Sequence, residues 1–270
     1  MITHDSPLIE RTTEELRTGW RFARFDDDGR GEGAGPAAPD YDDSAWHDVT
    51  VPHDWAIGGP FDAEHDVQRT MIVADGEQTE RVHVGRTGGL PHAGLGWYRR
   101  EFEVSEAVVQ RGEVDVELDG VMSHAEVYCN GQLVGGRPYG YASFSCRLTP
   151  HLRPGRNVFS VRVNTPPFSS RWYPGAGIYR RVRLVTTKTV RFSQWGVWVR
   201  PEVRPDGRAT LHVEATIENR GAGAVAAEVT LRVFDHGGVA VTAECTPEAV
   251  TVEAEGTSKA AGTITLEDPR

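Results

Sequence analysis

Long apolar runs, sustained helical periodicity, paired cysteines and basic clusters are all missing from this chain, and each absence excludes something. No uninterrupted apolar stretch approaches membrane-spanning length, so no membrane partner is expected. No segment repeats apolar residues at helical spacing through three turns. The 29 Lys and Arg residues are scattered among 39 Asp and Glu, for a net charge of −10. With no basic face to follow phosphates, a nucleic-acid partner is not expected either. The opening MITHDSPLIE has neither a basic nor an apolar segment, so no secretory signal is read there. Cysteine occurs only at positions 129, 146 and 245, an odd number, far apart and in no metal-ligand spacing. Cys129, Cys146 and Cys245 are expected as buried free thiols of a protein in the reducing cytoplasm.

What is present is β-forming sequence in short runs. GWRFARF alternates Trp20 and Phe22 with Arg21 and Ala23. The Gly/Ala/Pro-rich DDDGRGEGAGPAAPD that follows is expected to be a mobile surface loop. The stretch from Gly58 to about Gly96 reads as irregular, and no role is assigned to residues 66–86. From Trp97 strands follow closely. EVDVELDG turns Val114, Val116 and Leu118 one way and Asp115, Glu117 and Asp119 the other. AEVYCNGQLVGG is predicted to be a hairpin turning at Asn130-Gly131, a pair suited to the positive φ angles of a type I′ turn. NVFSVRV, with Phe159, Val161 and Val163 on one face, and YRRVRLV complete two packed antiparallel sheets. Between Thr187 and Arg191 the texture changes. A sandwich of about 80 residues follows, the size of an immunoglobulin-like unit, with Leu211, Val213, Ala215 and Ile217 facing Val229, Leu231 and Val233.

Chemistry-bearing motifs are sparse. His53-Asp54 in VPHDW has the residue types of a base and its orienting carboxylate, but neighbours in a strand point to opposite faces. A structural corner, with Pro52 ending a strand and Trp55 packing, is the better reading. GRTGGLPHAG is rich in glycine but has neither the GxGxxG spacing nor a following helix pattern, against a phosphate cradle. The histidines show no HxH or HExxH spacing, so no metal site is expected, and no cofactor is implied. No nucleophile elbow occurs, and no carboxylate pair stands out, so no catalytic residue is assigned. SSRWYPGAG differs. Trp and Tyr faces stack on the C–H faces of sugars, and a planar guanidinium bonds their hydroxyls. The same residues could instead plug the sandwich, and this segment alone leaves both readings open.

Four blocks in order carry a resemblance: VPHDWAIGGPFD, GLGWYRREFEV, VYCNGQLVGGRPYGYASFSCRLTPHLRPGRNVFSVRVNT and SSRWYPGAGIYRRVRL. Together they resemble the amino-terminal region of glycoside hydrolase family 2, which includes β-galactosidases, β-glucuronidases and β-mannosidases. VRFSQWGVWVRPEV resembles that family's entry into its second domain. The resemblance implies an all-β chain: a jelly-roll, galactose-binding-domain-like β-sandwich over residues 1–188, then an immunoglobulin-like β-sandwich over 189–270, cut near its carboxyl end. It implies a carbohydrate partner, a terminal β-galactoside or related sugar. It also implies a catalytic (β/α)₈ barrel of the same polypeptide beyond Arg270, so that this portion alone is inactive.

By the same resemblance Arg171 and Trp172 help wall the subsite of the non-reducing sugar, and His92 of GGLPHAGLG lies on a second sugar-contacting loop. Where some β-galactosidases carry a carboxylate beside the tryptophan, this chain has Ser169, Ser170 and Arg171. The wording PHDW and RWYPGAGIYR is most like the β-galactosidase branch. A β-glucuronidase, a free-standing carbohydrate-binding module and a purely structural jelly roll remain the alternatives, and a homo-oligomer is compatible with all of them.

Overall fold

The computed structural model describes residues 11–25, 35–59, 67–84, 94–166, 174–241, 245 and 249–267, apart from the side chains of 67, 68 and 84. The chain divides into two compact units, Met1–Thr186 and Thr187–Arg270. That division lies two residues before the boundary expected from the sequence.

The first unit holds β1 (Thr12–Glu15), β2 (Trp20–Phe25), β3 (His47–Val49), β4 (Val67–Ala74), β5 (Glu77–Val84) and β6 (Gly94–Val104). These are followed by α1 (Glu106–Arg111), β7 (Gly112–Leu118), β8 (Ala125–Cys129), β9 (Gln132–Arg137), β10 (Phe144–Arg147), β11 (Gly155–Thr165) and β12 (Val182–Lys188). They form a jelly-roll sandwich. One sheet is ordered β1-β12-β7-β10 and the other β3-β2-β6-β11-β8-β9. The alternation read from the sequence explains the layers, since every second residue of a strand faces the partner sheet. Val114, Val116 and Leu118 of β7 are buried against Phe159, Val161 and Val163 of β11, with Trp20, Phe22 and Tyr98 in the same core. Trp20 is fully buried and its indole N–H donates to the Leu16 carbonyl at 2.8 Å, which satisfies its one polar group.

The hairpin at Asn130-Gly131 forms as predicted, with φ angles of 48° and 85° between β8 and β9. Two expectations need correction. Residues 58–96 are not irregular throughout, because β4 and β5 pair as a hairpin about Asp75-Gly76, with φ of 55° and 80°. The Gly/Ala/Pro-rich segment lies outside the described residues over 26–34, but from Gly35 it is a buried 3₁₀ turn and not a mobile loop. This turn covers the outer face of the larger sheet, where Ala37, Trp46 and Trp97 pack together. Arg99, only 2% exposed, holds it there. Its guanidinium bonds the Asp43 carboxylate at 2.8 Å and the Ala38 carbonyl at 2.9 Å, and also reaches the carbonyl of Pro36. The short α1, capped by Ser105, escapes prediction because six residues are too few to show a period.

The second unit is a small immunoglobulin-like sandwich. It contains β13 (Val190–Val203), β14 (Ala209–Asn219), β15 (Val225–Ala227), β16 (Val250–Val252) and β17 (Gly256–Leu266), in sheets β13-β14-β17 and β15-β16. Its core is Ala215, Ile217, Val229, Val252 and Ala260. The expected inward faces are only partly buried: Leu211, Val213, Leu231 and Val233 are half-exposed. In place of a strand through Val229–Val233 there is a bridge between Leu231 and Cys245. The fully buried Asn219 amide donates to the Gly223 and Val252 carbonyls at 2.7 and 3.1 Å, pinning the two sheets where apolar packing is thin.

Candidate functional site

Arg171, Trp172 and His92 lie outside the described residues, as do 85–93 of the glycine-rich loop and 169–173 of SSRWYPGAG. What is described is how both segments are anchored. β6 and β11 pair antiparallel through their whole lengths, and the last partners are Gly94 and Thr165. The segment bearing His92 therefore enters β6 beside the point where the segment bearing Arg171 and Trp172 leaves β11. Two stretches 80 residues apart in the sequence spring from neighbouring positions at one end of the sandwich. Thr165 is buried there, its hydroxyl donating to the Met122 carbonyl at 2.8 Å.

The return of the second segment is fixed more tightly. The His53 and Trp55 amides donate to the Ile178 and Ala176 carbonyls at 2.8 and 3.0 Å. Met122 and Gly177 exchange both backbone hydrogen bonds at 2.8 Å. Asp54 Oδ1 accepts from the Ala56 amide at 3.0 Å, capping the 3₁₀ turn Trp55–Gly58, and from the Ala176 amide at 2.9 Å. One carboxylate thus ties the VPHDW corner to the GAG turn. Glycine is obligatory at two places in that turn. Gly177 has φ 126°, and a Cβ there would lie 2.4 Å from the Tyr98 hydroxyl and 2.6 Å from the His53 carbonyl. A Cβ on Gly175, at φ 74°, would lie 2.9 Å from Asp54 Oδ2.

This geometry decides between the two readings of His53-Asp54. The Asp54 carboxylate is directed to backbone amides, while His53 Nδ1 shares a hydrogen bond with the Tyr98 hydroxyl at 2.8 Å. The imidazole packs against Phe22, and Trp55 stacks on the same ring. Burial holds His53 below its ordinary value, outweighing the upward pull of Asp54. Burial also raises the buried Tyr98 phenol well above its usual range. The corner is structural. Sequence reasoning missed Tyr98, read only as part of a strand, and the partner of Asp54. The spacing of Gly175 and Gly177 was the signal for a turn pressed against something.

Glu113 and Glu117 of β7, and Asp119 just after it, are committed to structure as well. Arg147 grips Glu113 through two bonds of 2.8 and 2.7 Å, and Thr149 adds a third at 3.1 Å. Arg183 bonds both oxygens of Asp119, at 2.9 and 2.6 Å, and reaches Glu117 at 3.3 Å. Among the described residues, no three His, Cys, Asp or Glu side chains are grouped to hold a metal ion.

Residues 13–188, most of the first unit, match the family model described as glycosyl hydrolases family 2, sugar binding domain. The chain belongs to glycoside hydrolase family 2. It is 36% identical over 217 residues to the β-galactosidase BoGH2A of Bacteroides ovatus, which covers 79% of this chain and 23% of that protein. A β-glucuronidase of Formosa agariphila is 26% identical over 257 residues, covering 86% of this chain and 24% of its own. Among solved structures, a family 2 member from Bacteroides cellulosilyticus superposes with a TM-score of 0.77 at 28% identity, over 96% of this chain and 31% of that one. The chain thus spans about a quarter of the length of the family 2 relatives it matches, and it corresponds to their amino-terminal part.

Proposed function

We propose that the chain is the non-catalytic, sugar-contacting amino-terminal portion of a β-galactosidase that releases terminal β-galactosyl residues. The observation that carries the sugar-contacting role is the Gly94–Thr165 register, which brings the segments bearing His92 and Arg171-Trp172 to neighbouring anchor points. The match to BoGH2A supports the galactoside reading over others in the family. In this reading Trp172 offers a face to the sugar ring and Arg171 donates to its hydroxyls, with His92 on the opposing segment. The chemistry belongs to a barrel beyond this chain, where a retaining mechanism places two carboxyl groups about 5–5.5 Å apart across the scissile bond. Localisation in the cytoplasm is part of the same proposal. It is supported by the unbridged Cys129 and Cys146, whose thiols burial pushes up to about 12.

A second reading, a β-glucuronidase, rests on the Formosa agariphila relative and its 86% coverage of this chain. Both are tested by expressing the longer polypeptide and comparing nitrophenyl β-galactoside with nitrophenyl β-glucuronide. The galactoside should be preferred by at least about tenfold in kcat/KM, and the 270-residue chain alone should hydrolyse neither. Preference for the glucuronide selects the second reading. Turnover by the chain alone, abolished by mutating one of its own carboxylates, contradicts the non-catalytic assignment.

A further inference from the structure

The hairpin of β4 and β5 stands apart from the sandwich that carries it. Every residue from Arg69 through Val82 is exposed, Met71 and Val73 included. The two strands form a sheet of their own. A sheet of two strands is marginal in water, and a third strand or a packed face is what stabilises it. Its margins lack the usual protection against a further strand. The register runs without a bulge from Val67 opposite Val84 to Ala74 opposite Glu77, and residues 67–84 include neither proline nor lysine.

The charges on β5 select the strand that fits. Glu77 and Arg81 stand two residues either side of Thr79 and share its face of the strand. Neither side chain is held by a partner among the described residues. The segment Glu77–Arg81 is therefore its own electrostatic complement when run antiparallel. β4 is not: its one charge, Arg69, is engaged by Glu80 at 3.2 Å, and a copy of β4 brings no acid. Backbone geometry permits the same register. Residues flanking a two-residue turn form a hydrogen-bonded pair, and such pairs alternate along the ladder. With Ala74 and Glu77 flanking the turn, Glu77, Thr79 and Arg81 face β4, while Gln78, Glu80 and Val82 direct their N–H and C=O groups outward. Opposed residues across a new antiparallel edge must both point outward or both inward. A pairing centred on Thr79 meets that condition.

We propose that β5 is a self-association edge, on which two copies of this chain join antiparallel about Thr79 into a four-stranded sheet ordered β4-β5-β5-β4. The two-fold axis sets Thr79 against Thr79 of the other copy, Glu80 against Gln78, and Arg81 against Glu77, so each ion pair forms twice. Thr–Thr and opposite-charge pairs are both favourable across strands. Thr79, Glu77 and Arg81 fall at positions that exchange no backbone bonds with the new neighbour, where opposed side chains lie closest.

The test is sedimentation of the 270-residue chain over a range of concentrations, joined to directed cross-linking. A monomer–dimer equilibrium in the micromolar range is expected. Its Kd should rise about tenfold in Glu77→Arg and in Arg81→Glu, each of which sets like charges together twice. Glu77→Arg/Arg81→Glu, which exchanges the two signs, should restore the dimer. Cross-linking uses a Cys245→Ser background, because Cys129 and Cys146 are buried and Cys245 is not. There Thr79→Cys should give a disulfide-linked dimer on oxidation. Val82→Cys, exposed on the same strand but about 20 Å from its counterpart in this register, should not. A monomer at concentrations up to about 0.1 mM overturns the proposal. So does a dimer indifferent to both single variants, a sign exchange that fails to restore it, or linkage through Val82→Cys as ready as through Thr79→Cys. A longer polypeptide that stays monomeric while shielding Thr79→Cys from thiol reagents would also overturn it, marking a contact within one chain.

Discussion

The two units use their large side chains in opposite ways. The most deeply buried large residues, among them Trp20, Trp97, Tyr98, Phe159 and Leu118, all lie in the first unit. The second unit closes its core with Ala215, Ile217, Val229, Val252 and Ala260. Among the described residues its aromatic side chains are turned outward: Trp195 is 71% exposed, Trp198 56% and Phe234 55%. Fully burying a large apolar side chain contributes about 1.5–3 kcal/mol, and a smaller domain buries a smaller fraction of its surface. The difference teaches where rigidity sits. The first unit holds its loop end on a heavily packed aromatic core, whereas the second relies on small residues and the Asn219 amide.

Mutations at matched depth sharpen this contrast. The largest effect is expected from Trp20→Ala, which empties the centre of the first core and removes the bond to the Leu16 carbonyl. It should destabilise that unit by about 3–5 kcal/mol and leave the second unit's calorimetric transition where it was. One shared shift of both transitions would break the division. Next comes Gly177→Ala, where the new Cβ meets Tyr98 and His53 at a backbone angle that favours glycine. A loss of roughly 2–4 kcal/mol by denaturant unfolding is expected. A change under about 0.5 kcal/mol would show that the turn can shift without cost.

His53 supplies a smaller, pH-dependent term. In the unfolded chain it titrates near its ordinary 6.5, and in the folded chain burial makes it take a proton only at lower pH. Its contribution is therefore complete above 6.5 and is lost as the pH falls through that value towards the folded one. His53→Gln should lose less stability than the unaltered chain between about pH 7.5 and about pH 5.5, measured by urea unfolding. Parallel losses in the two proteins would remove His53 as a source. The smallest effect belongs to Trp198→Ser. Although tryptophan is the largest side chain, this one faces solvent, so stability should move by no more than about 0.5 kcal/mol. A loss comparable to that of Trp20→Ala would contradict the contrast.

The part of this arrangement legible in the sequence was the part governed by local rules. Alternation identified Val114, Val116 and Leu118 on β7, and Asn130-Gly131 identified its hairpin, because a period of two and a positive-φ turn are written in adjacent residues. The β4–β5 hairpin was missed although Asp75-Gly76 is the same kind of turn signal, since the run around Met71 and Ile72 does not alternate cleanly. The burial of Gly35–Ala37 depends on Arg99, more than 60 residues away, and no local pattern reports that. At the candidate site, composition and resemblance pointed to Arg171, Trp172 and His92. The tie between Asp54 and the Ala176 amide was not legible, because it joins two loops through one carboxylate oxygen.

The most direct test of the sugar-contacting role is the kinetics of Arg171→Ala in the longer enzyme, measured per folded molecule. Removing a charge-assisted contact worth roughly 1.5–3 kcal/mol should lower kcat/KM by about 10- to 150-fold with little change in melting temperature. An unchanged kcat/KM in the folded fraction, with or without a loss of stability, would take Arg171 out of the site and contradict the account.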